Sequence, residues 1–546
     1  MGKGKRVLVV GLVGLLALTG ITACQRMPED SGARTHANVP AAAASSLAGA
    51  KPQPLPKTHV FTQAELNAFL AAATSAEGIT DPLKRCLAYP DPPGSHWNRA
   101  AVEAYCQYRN QPIVTLAQAR DLIQQGKAAE LDRLLGADLQ AQLTQPQARG
   151  RLDRTFFADF NDGSIDLRYL LDAWKRASPN SAFAYAASGY AYVQMAFDAR
   201  GTDYISKTPQ DNLDSMHRLL VQADTDLQQA RKLDPRITPI YAAMIQAGAY
   251  ELGANYIKQA LHEGLKQDPA SFSIYSQYVW VAQPQWFGSL GAMQHVIDES
   301  LKHADRNPLL LLNKPKVAAY RANIRNCCDK PVHIADFPAV FDDLGDSSAL
   351  SSAGNTAAEH GQPGMATIYL SEAVRFNVAD FKDRLRLSQL LSAENQPKLL
   401  MLHAQQLVAA QPENPDALGL RGFAWLQRND VQHARTDLAA ALAKNPDDPQ
   451  AMSLLGSIYV YSTHEWDKGW TLADRLIQEY PKYPLGWRLR ASIQLHQPRA
   501  GLDDTLHYFI LHFGSDPQQQ SIVDEMRRIL AAEAKGGKHP LKPFGG

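Results

Sequence analysis

The strongest constraint on this chain is a stride. Pro412 and Pro446 are 34 residues apart, and Pro446 and Pro481 are 35 apart. Gly354, Ser388, Gly422 and Gly456 keep a 34-residue step, and so do Ala366, Leu400 and Ala434. The pattern between the prolines is helical, so the stride predicts a run of identical helix pairs. A small residue at the glycine position of the first helix lets the second helix pack close. Ala434 on the second helix is the small residue that receives the first. A large residue at Trp425 fills the gap to the next unit, and the proline ends the second helix. One pair buries too little apolar surface alone, so copies must stack.

The clearest copy, residues 415–448, carries Leu418, Gly422, Trp425, Ala434, Leu438, Ala441 and Pro446 at its signature positions. This set closely resembles the tetratricopeptide repeat. The resemblance implies an all-α fold, a tetratricopeptide-like α-solenoid of antiparallel helix pairs. The next copy has Gly456 and Tyr459, then one inserted residue, then Ala473 and Pro481; Trp487 opens a further copy. The step reappears upstream in Pro235 and Pro269 and in Tyr241 and Tyr275. Tyr185, Gly189 and Tyr192 repeat the large, small, large spacing of Leu418, Gly422 and Trp425. Pro179 to Pro235 is longer by 22 residues, which places an insertion around "DARGTDYISKTPQDN". Residues 170–290, with "AWKRASPNSAFAY", "RGT" and "QPQWFGS", also resemble an uncharacterised bacterial helical-repeat family. That resemblance implies no activity.

The N-terminus has a different logic. Lys3, Lys5 and Arg6 precede an apolar run too short to span a bilayer, which makes a secretory signal. Ile21, Thr22, Ala23 and Cys24 resemble a bacterial lipobox, which implies cleavage before Cys24 and lipid on that residue. Gln25 in place of aspartate implies the outer membrane of a Gram-negative bacterium, with the body facing the periplasm. The full chain has 55 basic and 55 acidic residues; three basic residues fall in 1–23, leaving the mature chain near −3 (52 minus 55). That balance argues against nucleic acid as a partner. Four further cysteines allow three pairings, and Cys86 with Cys106 is favoured because the two flank one Pro-rich segment. Cys327 and Cys328 are adjacent and are left as a vicinal bridge, free thiols or an external binding pair.

These signals divide the chain into a signal peptide (1–23), a tether (24–57), a small helical segment (58–150) and a helical-repeat domain (151–325). A linker (326–345) containing "NIRNCCDKPVHIADFP" precedes tetratricopeptide repeats (346–530) and a polar tail (531–546). Thr62 and Glu65 predict a capping box at the start of the helical segment.

Chemistry is sparse. The chain has no HExxH, GxSxG, GxGxxG or P-loop pattern, so no enzyme activity, cofactor or metal is expected. His295 and His303 are eight apart on one expected helix, a weak metal signal. "HEWDKGW", residues 464–470, is dense in polar and aromatic groups, yet it falls in a turn where such residues serve packing and capping. Function is therefore expected on the face built by the first helix of each pair, which binds extended peptides or partner helices in tetratricopeptide families. Carrying over the repeat positions gives Lys382, Gln389, Phe423, Gln427, Tyr461 and Arg488 as lining residues. They depart from the carboxylate-clamp pattern of chaperone-binding members. The expected activity is that of a lipid-anchored periplasmic adaptor for a protein or peptide. The alternatives are a toxin-neutralising or inhibitory lipoprotein and an envelope hydrolase with accessory repeats.

Overall fold

A computed structural model describes residues 59–201, 207–286, 288–326, 330–497 and 499–533. Cys24, the signal and tether, Cys327, Cys328 and the tail lie outside the described residues. The described chain is all helix and turn, without a strand, and it divides into two compact units at residues 377 and 378.

The larger unit opens with α1 (Gln63–Glu77), α2 (Pro82–Ala88) and α3 (Arg99–Asn110). It continues through α4 (Leu116–Gln124), α5 (Ala128–Thr144), α6 (Arg151–Asp159) and α7 (Ile165–Ala177). Three pairs follow: α8 (Ala182–Arg200) with α9 (Gln210–Leu233), α10 (Thr238–Ala247) with α11 (Ala254–Gln267), and α12 (Phe272–Val281) with α13 (Leu290–Leu301). Short α14 (Lys316–Arg321) and α15 (Phe337–Val340) lead to a last pair, α16 (Ser347–Glu359) and α17 (Pro363–Phe376).

In the expected linker, residues 326–345, Phe337, Val340, Phe341 and Leu344 are buried in the core. Gly189 does what the spacing requires. A Cβ there would stand 2.6 Å from Leu227 Cγ, so only a glycine admits α9 this close to α8. Thr62 and Glu65 form the capping box at α1: the Glu65 amide donates to the Thr62 hydroxyl and the Glu65 carboxylate accepts from the Thr62 amide.

Residues 59–110 fold back onto α16 and α17. Cys86 and Cys106 are disulfide-bonded, with Cα atoms 5.7 Å apart and both side chains fully buried. Two arginines beside that bond cap the carbonyl end of α17. Arg85 donates to Arg375 O at 3.4 Å, and Arg109 donates to Phe376 O at 2.6 Å. Arg375 answers by donating to Cys86 O at 2.8 Å and to the Asp91 carboxylate at 2.8 Å. It also pairs with Glu372, whose carboxyl is pushed up to about 8 by burial, against the pull of Arg375.

The smaller unit is a solenoid of tetratricopeptide-like pairs. These are α18 (Phe381–Ala393) with α19 (Pro397–Ala410), α20 (Pro415–Gln427) with α21 (Val431–Lys444), and α22 (Pro449–Ser457) with α23 (Trp466–Glu479). They are followed by α24 (Pro484–His496) with α25 (Leu502–Phe513), and by α26 (Gln520–Glu533). Each first helix starts where the sequence provides a start. Asp380, Asn414 and Asp448 accept from amides of the first turn, and Pro415, Pro449 and Pro484 stand where a missing N–H costs nothing. The turn inside the pairs also keeps the stride. Asn395 and Asn429, 34 apart, both take the left-handed conformation, with φ of 51° and 59°. Gly422 holds the close approach, since a Cβ there would meet Leu438 Cγ at 2.7 Å.

The inserted residue of the third pair is absorbed by a π-turn over Ile458–Ser462, which continues α22. His464, with φ of 54°, then follows Asn429 by 35 residues instead of 34.

Candidate binding face

The first helices α18, α20, α22 and α24 are neighbours in that order, so their outward faces form one surface across four repeats. Prolines and Asp or Asn caps fix where these helices start, and Gly422 fixes how α20 sits against α21. The six expected lining residues all lie on these helices or on the π-turn that extends α22. Lys382 is exposed on the first turn of α18, and Gln389 is half-buried two turns on, where it accepts from Arg386 at 3.5 Å. Phe423 on α20 is only 9% exposed, so it serves the core as much as any surface. Gln427, one turn later, is half-buried, and its buried Oε1 has no protein partner.

Tyr461 and Arg488 come together. Tyr461 Oη lies 2.9 Å from Ser492 Oγ on α24, a hydrogen bond between adjacent first helices. Burial pushes the Tyr461 hydroxyl up, while its bond to Ser492 and the nearby Arg488 charge oppose that. Burial also pulls the Arg488 guanidinium down, with Tyr461 acting the other way. Tyr461 and Arg488 are thus a phenol and a cation held side by side in a poorly solvated place.

The dense stretch 464–470 is used up in holding repeats together. Glu465 accepts from Arg435 on α21 at 2.5 Å and from Lys468 at 2.5 Å. Asp467 pairs with Arg499, and Trp470 lies under the guanidinium groups of Arg490 and Arg499 at 5.0 and 4.6 Å. Trp466 is sandwiched between His464 and His496, each centroid 5.2 Å away. The histidine pair upstream does not share a helix: α13 ends at Leu301, and His303 lies beyond it against the Tyr275 ring. Among the described residues no group of three His, Cys, Asp or Glu side chains is placed to hold a metal.

One cluster was missed by the stride. Phe197, Tyr250, Trp280 and Trp286, all half-buried, meet in the larger unit. Phe197 stacks on Tyr250 at 5.6 Å, Tyr250 stands perpendicular to Trp280 at 6.1 Å, and the two indoles are 4.5 Å apart. A second π-turn, Gly248–Leu252, carries Tyr250 into this group. The available signal was "QPQWFGS", which lies outside the repeat's signature positions.

No protein-family model matches the chain, and no curated protein matches it. Among solved structures the chain is similar to the Cut9–Hcn1 hetero-tetramer of APC/C at 12% identity. That likeness covers 75% of this chain and 95% of the other, with a TM-score of 0.32. It is similar to yeast Tom70 at 11% identity over 77% and 96% of the two chains, with a TM-score of 0.30. It is also similar to YrrB, described as a TPR protein with an unusual peptide-binding site, at 13% identity over 52% and 95%, with a TM-score of 0.20. At TM-scores this low the fold assignment rests on the repeat geometry described above.

Proposed function

We propose that this chain is a scaffold that binds a protein or peptide partner through the first-helix face of residues 381–496, and that Cys24 carries a lipid anchoring it to the outer membrane on the periplasmic side. The observation that carries the binding reading is the row of four adjacent first helices presenting Lys382, Gln389, Gln427, Tyr461 and Arg488 beside Phe423. Long polar side chains of this kind hold a partner's backbone, and the Tyr461–Ser492 pair keeps two of the helices in register. The residues with most chemistry outside this face, Glu465, Asp467 and Trp470, are spent on ties between repeats, which favours binding over catalysis. The anchor reading is supported by the lipobox-like "ITAC" at residues 21–24.

A photo-reactive amino acid placed at Lys382 or Gln389 in living cells should trap one or a few defined partners. The same group at Thr436, exposed on the second helix α21, should not. Identical products from both faces would remove the binding reading. Cys24→Ala should move the protein from the membrane fraction to the soluble one; an unchanged membrane fraction would remove the anchor and leave the binding face standing.

A further inference from the structure

Three first helices of the larger unit are uncharged over most of their length. Residues 182–197, 238–250 and 271–291 contain no Asp, Glu, Lys or Arg, whereas α18, α20 and α24 each carry an arginine. Helices α8, α10 and α12 are neighbours in that order. The repeat pattern aligns them with the smaller unit. Phe423 stands five residues after Leu418, and Tyr190, Gln246 and Trp280 stand five after Tyr185, Tyr241 and Tyr275. Tyr250 follows Tyr241 by nine, as Gln427 follows Leu418. The aromatic cluster therefore lies on this unit's own first-helix face.

Helix α6 covers one end of that face. Asp153 accepts from Thr238 and Ser273 at the starts of α10 and α12, and the Tyr190 ring meets Phe156 at 6.0 Å. At the other end Phe197, Tyr250, Trp280 and Trp286 are only half-buried. Tyr250 lies 5.8 Å from Trp286 and 6.1 Å from Trp280, so the rings make a platform and leave no cage for a cation between them. The platform's polar groups donate. Tyr250 Oη accepts from Gln246 at 2.7 Å, which leaves its own O–H to donate. Burial pushes that hydroxyl up to about 12, against the bond from Gln246, so the proton stays in place. An indole N–H can only donate. Of the acceptors at this end, Gln283 Oε1 already takes a bond from Gln285. The charges that act on Tyr250, Arg200 and Asp198, are one of each sign and favour neither sign in a ligand.

We propose that this end of the face binds an uncharged, proline-rich segment of a partner protein in the polyproline II conformation. Proline rings pack on aromatic planes, and their amides offer carbonyls with no N–H. Those carbonyls match the phenol and indole donors, and no N–H of the partner is left without an acceptor. A charged segment would lose its water here with no opposite charge in excess to meet it. A polyproline II segment is stiff before it binds, so docking orders little. This is a second surface, distinct from the first-helix face of residues 381–496.

Fluorescence anisotropy of a labelled decaproline peptide with the full chain tests this. Decaproline should bind saturably, and its affinity should hold between low salt and about 0.5 M salt, because no ion pair forms. Trp280→Ala should weaken binding at least about 10-fold. Tyr250→Phe keeps the ring and removes the O–H, so it should weaken binding a few-fold at an unchanged melting temperature. Tyr461→Phe, on the other face, should leave decaproline binding as it is. Absence of saturable binding would overturn the proposal, and so would binding untouched by both Trp280→Ala and Tyr250→Phe. Equal affinity for a glycine–serine peptide of the same length would mean that proline is not what the platform reads. Displacement of decaproline by maltohexaose would assign the platform to sugars instead.

Discussion

Asp153 is 7% exposed on α6 and accepts from two hydroxyls, Thr238 Oγ and, at 2.8 Å, Ser273 Oγ. Burial outweighs both bonds and pushes its carboxyl up to about 6, from 3.8. The sign follows: the fold favours the protonated form, so this group adds stability below pH 4 and loses it as pH rises through 6. Between pH 4 and 7 the wild type should lose up to about 3 kcal/mol more than Asp153→Asn does, read from urea midpoints. Parallel pH curves for the two proteins would show that Asp153 does not titrate in this window.

Two glycines of one helix make the opposite kind of prediction. Gly422→Val should cost about 2 kcal/mol or more, because Leu438 leaves no room for a side chain. Gly419→Ala should add up to about 1 kcal/mol, since nothing lies within 4 Å and alanine is the better helix former. Thermal melts of both variants decide. Gly422 was legible in the sequence because its reason repeats every 34 residues. Asp153 was not, because its partners lie 85 and 120 residues away and nothing local marks it.

The two π-turns, Gly248–Leu252 and Ile458–Ser462, differ in the trace they leave in the sequence. The turn at Ile458–Ser462 was legible as an inserted residue, since one extra residue in a helix must either shift the register of everything after it or be absorbed locally. The turn at Gly248–Leu252 was not legible, because Pro235 and Pro269 keep the 34-residue step around it. Both turns move a tyrosine: Tyr250 joins the aromatic cluster, and Tyr461 reaches Ser492 on the next first helix. If the second contact is what registers α22 against α24, its two halves should couple. A double-mutant cycle on Tyr461→Phe and Ser492→Ala should give about 1 kcal/mol. Additive single effects would leave the π-turn without that role. Of the six lining residues read from the repeat, the helix positions followed from the stride, whereas the burial of Phe423 did not. Repeat position sets which way a side chain points but not how far its neighbours close over it.

For the whole molecule, the stride runs unbroken from Gly354 through Ser388 to Gly422, yet the compact units divide between residues 377 and 378. The reason lies far away in sequence. Residues 59–110 fold back on α16 and α17 through contacts such as Tyr105 with Ser347 and Arg85 with Arg375 O, 242 and 290 residues apart. A repeat pattern describes neighbours along the chain and is blind to a segment that returns from another part of it.

Two compact units, one of them holding the only disulfide among the described residues, predict a specific calorimetric result. The oxidised chain should melt in two transitions. Losing the Cys86–Cys106 bond frees about 3 kcal/mol of loop entropy in the unfolded state, which for a unit of this size lowers its melting temperature by roughly 5 °C. The transition of residues 59–377 should therefore fall in the Cys86→Ser/Cys106→Ser variant, and that of residues 378–533 should stay where it is. A single transition that moves as one would mean that the units unfold together, and that the break at residue 377 has no thermodynamic counterpart.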